Sequence, residues 1–444
     1  MPDYQVGVTM NNADDGRRAQ ATADVAEEAK ECLEHHINQP VMELNAEQRL
    51  ALEAVQAGQN IFLTGPAGTG KSFVVAKIKE WAAAADRDAA LTASTGTAAV
   101  LIGGRTLHSW AGVGLGTGTV SELLHGFMSG AAKKRVNLAC MLLIDEISMI
   151  NAEFFDKLDA YLGHMRHKVD RPFGGLQLIV IGDFAQLEPV SGGYAFQSQA
   201  WRRANFLQVQ LTEQMRQADG PDFTAMLSRM RFGNCLDSDL AMLKATRSHR
   251  FPAHIVPTKI FPLNVDVDRI NSAAFKALIA AGAQRLVYPV LGRASGLKWA
   301  KGLKIQDLEL CMGAQVMSTQ NIAALDVVNG SRGQVIGLSP QSVQVDMVDG
   351  RIVEFDRQTM VNEDDRKQTF SFIPLRLAFA VSGHKCQGMT LDAVEMDLSR
   401  VFAAGQAYVM LSRARSLSAV RILNVRASAF QCHPAVQDMY GVRN

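Results

Sequence analysis

The chain has 444 residues, 48% of them hydrophobic and 20% charged, with a formal net charge of +1. That balance fits a soluble globular protein of two to four domains, at roughly 100–200 residues per domain, and it supplies no global electrostatic pull toward nucleic acid, although a local basic groove stays compatible with it. No apolar run approaches the ~18 residues of a membrane span, and the amino-terminal stretch is too acidic for a transit peptide and lacks the basic-then-apolar order of a signal peptide. The six cysteines (Cys32, Cys140, Cys235, Cys311, Cys386 and Cys432) include no CxxC pair, so neither a zinc knuckle nor a redox dithiol is expected, and their scatter suits a reducing compartment.

Residues 1–40 carry eight acids against three bases. Their first twenty show no hydrophobic periodicity, which predicts a disordered acidic tail, with a helix expected over 21–36. From Met42 the pattern changes. A helix reads from Asn45, a suitable N-cap, to Gln56. IFLTG (61–65) reads as a buried strand, followed by a glycine-rich loop and a helix from Lys71 to Ala85. LTAST (91–95), MLLID (141–145), LQLIVIGD (176–183) and NFLQVQL (205–211) extend the strand series. Strands alternating with helical segments predict a parallel α/β architecture. GAQVMSTQN (313–321), GQVIGL (333–338), SVQVDMV (342–348) and RIVEF (351–355) are short strands between polar turns, read as a small antiparallel β insertion. The α/β character returns with RLAFAVSG (376–383), a helix after Lys385, VEMDL (394–398), YVMLSRA (408–414) and VRILN (420–424).

GPAGTGKS (65–72) matches the phosphate-binding pattern GxxxxGK[ST] in full, with a strand before it and a helix after it. Gly65, Gly68 and Gly70 let the backbone turn and, with Pro66, Ala67 and Thr69, present the loop to phosphate oxygens. Lys71 is expected to reach the β and γ phosphates of ATP and Ser72 to ligate Mg2+. LLIDEIS (142–148) places Asp145 and Glu146 at the end of a buried strand. Asp145 is expected to hold the metal and Glu146 to polarise the attacking water. Gln48, upstream in LNAEQRLAL, has the amide needed to pair with an adenine edge; taken alone, a glutamine there reads as an exposed helix residue.

Five further segments follow in fixed order: TASTGTAAVLIGGRTLHSWAGVG (92–114), GGLQLIVIGDFAQLEPV (174–190), LTEQMRQ (211–217), LRLAFAVSGHKCQGMTLD (375–392) and AYVMLSRARS (407–416). Together they resemble the superfamily-one helicases of the PIF family, with RecD-like and Dda-like relatives, over about residues 42–425. The resemblance implies two RecA-like domains, here 41–215 and 216–444, with a β-rich, SH3-like insertion in the second at about 285–370. It implies an ATP-dependent DNA helicase moving 5′→3′ on single-stranded DNA, with single strands and duplex junctions as partners. Gln186 then corresponds to the glutamine that senses the γ phosphate or the hydrolytic water, and Arg216 and Arg413 to arginines that reach ATP across the interdomain cleft. It also places Thr95, Gly96, His108 and Trp110 beside the DNA strand in the first domain, and His384, Lys385 and Gln387 in the second. Trp110 reads equally as a core residue.

The segment 114–136, with Lys133, Lys134 and Arg135, stands where relatives carry a duplex-splitting wedge. Two positions depart from the family pattern: Glu188 replaces a proline, and Cys386 stands where a small Ser or Thr is usual. Two other functions remain open, a single-strand translocase that does not unwind and a regulatory ATP-binding protein. The expected location is cytoplasmic and nucleoid-associated in a prokaryotic or phage setting, with nucleus or mitochondrion as alternatives.

Overall fold

The computed structural model describes residues 43–442 except 115, 126–129, 216–220, 252–256, 304, 321, 328–329, 363–365, 384–385, 390 and 392. The acidic segment 1–40 and its expected helix lie outside the described residues. Residues 46–444 form one compact unit, to which all the elements below belong.

Six strands build the first sheet: β1 (Ile61–Thr64), β2 (Ala89–Ala93), β3 (Arg105–Thr106), β4 (Met141–Asp145), β5 (Gln177–Ile181) and β6 (Leu207–Gln210). Their order is β3-β2-β4-β5-β1-β6, and every neighbouring pair is parallel. Both faces are covered, which is why these strands read as continuous apolar runs rather than alternating ones. Ile61 and Leu63 point into one core, with Val74 and Ile78. Phe62 points into the other, with Phe155, Phe173 and Phe184. Helices α1 (Ala46–Gln56) and α2 (Lys71–Ala84) supply the first face, and α3 (Ala152–Met165) the second. Asn151 caps α3 by accepting from the Phe154 N–H at 2.8 Å.

After α4 (Pro221–Arg231), a second parallel sheet runs in the order Ala380–Ser382, Thr258–Phe261, Val394–Asp397, Val420–Asn424. Helices α5 (Gln406–Leu411) and α6 (Pro434–Met439) belong to this half of the chain. These are two RecA-like sheets. Between Thr258–Phe261 and Ala380–Ser382 the chain departs into antiparallel structure. Its main sheet has five strands, in the order Ile352–Asp356, Ser342–Met347, Arg332–Leu338, Gln315–Ser318, Leu375–Leu377. It closes over a core of its own that includes Val316, Val335, Val343 and Phe355.

Two expectations need correction. RLAFAVSG is not one strand: Leu375–Leu377 ends the antiparallel sheet, and Ala380–Ser382 begins again in the parallel one. Its middle, 377–381, is continuously apolar because it passes from one core to the other, so periodicity shows no break. The described residues after Lys385 form a tight turn at 386–389, not a helix, with Gly388 left-handed at φ 78°. No helix among the described residues is long and apolar enough to cross a membrane.

The first sheet depends on the aromatic layer beneath it, where Phe155 is fully buried 4.9 Å from Phe173. Phe155→Ala is expected to lower stability by about 3–5 kcal/mol, read from the urea denaturation midpoint at unchanged m-value.

Candidate nucleotide site and nucleic-acid path

In parallel α/β sheets ligands collect beyond the carboxyl ends of the strands. Three such ends meet here. β1 runs into the P-loop, where Gly65, Gly68 and Gly70 have φ of 148°, 89° and 83°. A Cβ on Gly65 would lie 2.4 Å from the Leu211 carbonyl oxygen, and one on Gly70 2.6 Å from the Gln48 amide nitrogen. Only glycine fits either place. Thr69 is buried and donates to the Pro66 carbonyl at 3.0 Å, which tightens the loop. Ser72 is exposed at the start of α2.

The Lys71 ammonium folds over the loop and donates to the Gly65 and Pro66 carbonyls at 2.7 and 2.8 Å. Burial pushes its pKa down to about 8, against the opposing pull of Asp183 and Glu146. Gln48 is not the exposed helix glutamine that its position suggested. It is fully buried, with its amide 3.4 Å from the Thr69 carbonyl.

β4 ends at Asp145, whose Oδ1 accepts from the Glu146 N–H at 2.8 Å. Glu146 itself is left-handed at φ 54°, a conformation uncommon for a non-glycine residue. Burial raises the Asp145 pKa to about 6; burial, then repulsion from Asp145, raises that of Glu146 to about 7. Among the described residues no lysine or arginine forms an ion pair with either. Two half-buried carboxylates short of positive charge, beside a half-buried lysine hydrogen-bonded to carbonyls, fit a cation–polyphosphate pair. No cluster of three His, Cys, Asp or Glu side chains occurs among the described residues.

β5 leads to Asp183. Its carboxylate forms a bidentate, fully buried ion pair with Arg231 at the end of α4, at 2.8–3.2 Å. The Tyr440 hydroxyl, just past α6, meets Thr64 Oγ1 at 2.7 Å and accepts from the Phe184 N–H at 3.3 Å. Tyr408 on α5 accepts from the Ala67 N–H of the P-loop at 3.2 Å. None of these four was singled out from the sequence. Asp183 had a usable signal, since it ends an apolar strand just as Asp145 does; Arg231, Tyr408 and Tyr440 had no local pattern.

Gln186 is buried, its amide 3.4 Å from Asp183. Arg413 is also buried, and its guanidinium donates to the Val409 and Met389 carbonyls and to Ser412 Oγ at 2.8–3.2 Å. It has no carboxylate partner among the described residues. Its charge favours the ionised form of Glu146. Gly405 packs directly on this centre: a Cβ there would lie 2.1 Å from the Gln186 carbonyl oxygen. Arg216, His384 and Lys385 lie outside the described residues.

The expected DNA-facing residues do not behave alike. Gly96 is exposed, with no atom within 4 Å of a Cβ placed on it, and Thr95 Oγ1 accepts from the Ala98 N–H at 3.2 Å. His108 stacks on Phe154 at 4.3 Å, and burial lowers its pKa. Trp110 needs correction as a DNA contact. It is 3% exposed within the core under the first sheet, so its ring has no face for a base. Gln387 also departs from expectation: it is buried, and its amide donates to Glu146 Oε2 at 2.8 Å. In the segment 114–136, Lys133 and Lys134 are exposed, whereas Arg135 turns inward to the carbonyls of Ser109 and Trp110. Glu188 accepts from the Tyr194 hydroxyl at 3.4 Å. Cys386 is a buried thiol whose pKa burial pushes up to about 11, so it is poorly reactive.

Fold and site together define a P-loop NTPase with two RecA-like sheets. A family model described as PIF1-like helicase matches residues 43–240. The human ATP-dependent DNA helicase PIF1 is 39% identical over 416 residues, covering 90% of this chain and 63% of that protein. The ATP-dependent DNA helicase Pif1 of a Psychrobacter species is 31% identical over 465 residues, covering 87% and 69%. The crystal structure of Pif1 helicase from Candida albicans superposes with a TM-score of 0.78 at 33% identity, over 90% of this chain and 99% of that one. That of Bacteroides Pif1 with ADP-AlF3 and single-stranded DNA does so at 0.69 and 27%, over 90% and 97%. The chain belongs to the PIF1-like helicase family. It spans a little under two thirds of the human protein's length.

Breaking the junction from one side leaves a buried charge unpaired. Arg231→Ala is therefore expected to cost about 3–5 kcal/mol in urea denaturation. Trp110→Leu, in contrast, with folding checked by circular dichroism, is expected to leave single-strand affinity within about twofold in a fluorescence anisotropy titration, where removal of a base-stacking ring would cost about 1–3 kcal/mol.

Proposed function

We propose that this chain is an ATP-driven DNA helicase that moves 5′→3′ along single-stranded DNA and separates duplexes at junctions. One observation carries the reading: two cations, the half-buried Lys71 by the first lobe's carboxylate pair and the buried Arg413 from the second half of the chain, have only neutral hydrogen-bond partners. Both act electrostatically on Glu146. That is a site prepared for an anion arriving between two lobes. Human and Psychrobacter relatives named as ATP-dependent DNA helicases support the same reading.

In this account the first RecA-like domain spans about 41–215 and the second 216–444, with the β insertion at about 285–370 and SH3-like in kind. The P-loop amides and Lys71 hold the phosphates, and Gln48 stands by the P-loop where an adenine edge could pair with its amide. Ser72 and Asp145 hold Mg2+, which when bound neutralises phosphate charge. Glu146 takes the proton of the attacking water, Gln186 senses the terminal phosphate, and Arg413 and Arg216 offset the charge that develops on it. Loss of that phosphate removes the anion both lobes grip. The cleft then opens, and motion follows if each lobe's affinity for the strand differs between the open and closed states. Thr95, Gly96 and His108 line the strand in the first lobe, and His384 and Lys385 in the second. Residues 114–136 act at the duplex junction.

ATP hydrolysis with and without single-stranded DNA, measured beside unwinding of duplexes bearing a 5′ or a 3′ tail, tests this directly. DNA-stimulated turnover with unwinding from the 5′ tail alone is expected. Stimulated turnover without unwinding would identify a translocase, and DNA-independent, negligible turnover a regulatory nucleotide switch. Lys71→Ala should abolish turnover, and Glu146→Gln should bind ATP while hydrolysing it at least about a hundredfold more slowly, within the range for a lost general base. Alanine at both Lys133 and Lys134 should reduce the log–log salt slope of single-strand binding by about 1.4, at roughly 0.7 per phosphate contact. An unchanged slope would make the pair a solvated face.

A further inference from the structure

Gln387 lies in the HKCQG segment, in the second half of the chain, yet its amide is hydrogen-bonded to a first-lobe carboxylate, Glu146 Oε2, at 2.8 Å. The turn that carries it is held firmly. The Cys386 N–H donates to the Ser382 carbonyl at 3.0 Å, and the Met389 N–H to the Cys386 carbonyl at 3.1 Å. Arg413 donates to the Met389 carbonyl at 3.2 Å. The turn also meets the first lobe at a second point, since a Cβ on Gly388 would lie 3.3 Å from Leu101. Glu146, for its part, projects from a left-handed residue at φ 54°, where the backbone alone leaves the side chain several staggered positions. A hydrogen bond to one carboxylate oxygen selects among them and leaves the other oxygen free.

We propose that Gln387 is a positioning residue for the hydrolytic glutamate and not a DNA contact: the second lobe supplies the amide that orients Glu146, on the same turn that anchors Arg413. This rests on the reading of Glu146 as the group that takes the proton from water. Brace and arginine then arrive and leave together, because one turn holds both. When the turn withdraws, Glu146 loses its orientation at the moment that Arg413 loses its reach. Hydrolysis is thereby confined to the docked arrangement of the two lobes. A DNA contact would require the amide to face solvent or a phosphate, and the residue is only 8% exposed.

The test is steady-state ATP hydrolysis by the full chain at saturating oligo(dT), comparing wild type, Gln387→Ala, Glu146→Gln and the double variant, with oligo(dT) affinity measured alongside. Gln387→Ala should lower kcat by tenfold or more while KM for ATP and the Kd for oligo(dT) stay within twofold. In single-turnover assays it should add no further loss to Glu146→Gln, since both changes disable one group. A loss of oligo(dT) affinity with kcat restored at saturation would return Gln387 to the DNA track. An unchanged kcat, or losses that multiply in the double variant, would also overturn the proposal. Wild-type protein without DNA-stimulated turnover would instead sink the helicase reading itself, and this inference with it.

Discussion

The buried pair of Asp183 and Arg231 is the contact on which the rest of the nucleotide site depends. Asp183 ends the strand beside β1, and Arg231 ends a helix that comes after the first sheet is complete. Two opposite charges taken out of water gain little net stability, but each is costly without the other. The pair therefore specifies an arrangement more than it strengthens one. Tyr440 and Tyr408 extend that specification by bonding to Thr64 and to the Ala67 N–H, on either side of the first P-loop glycine. The phosphate loop thus takes part of its shape from the far end of the chain, and its geometry reports on where that end sits.

Around this junction the electrostatics are deliberately incomplete. Lys71 and Arg413 are bonded to carbonyl and hydroxyl oxygens, while Asp145 and Glu146 are raised toward neutrality by burial. Opposite charges lie near enough to act on one another, but none of the four forms an ion pair with another among the described residues. A polyphosphate with its cation would complete all four at once. Fixed donors and acceptors need little rearrangement when charge develops, which is the sense in which such sites favour a transition state over a ground state.

Much of this was legible in the chain. The P-loop could be read because its glycines answer to backbone sterics, and Asp145 because a carboxylate after an apolar strand has few other uses. Most sheet strands were clear from their apolar runs, with errors of a residue or two at their ends, but Arg105–Thr106 and Thr258–Phe261, the latter inside the second sheet, were not read. What escaped reading depends on distant partners. Trp110 reads equally as a DNA contact and as core, and its place in the core depends on partners far along the chain; Arg135 reads as part of a basic cluster, yet it holds the Trp110 backbone in place. Gln48 looks like a solvent-facing helix residue because nothing nearby says that a loop twenty residues on will cover it. RLAFAVSG reads as one strand because apolar character does not record which core a residue enters. Gln387 was assigned by the company it keeps in sequence, whereas its hydrogen bond crosses 241 positions.

The segment between residues 114 and 136 is fastened at both ends to the same part of the first lobe. On one side a Cβ on Gly116 would sit 2.5 Å from Phe154, the ring on which His108 stacks. On the other, Arg135 clasps the carbonyls of Ser109 and Trp110. Of the described chain between these points, Val120, Leu123 and Leu124 also pack against the core under the first sheet. Doubling its length would add only about 0.6 kcal/mol of closure entropy. Added length is thus cheap in this stretch, like slack in a rope tied off at both posts, provided the packed residues and the two anchors are kept.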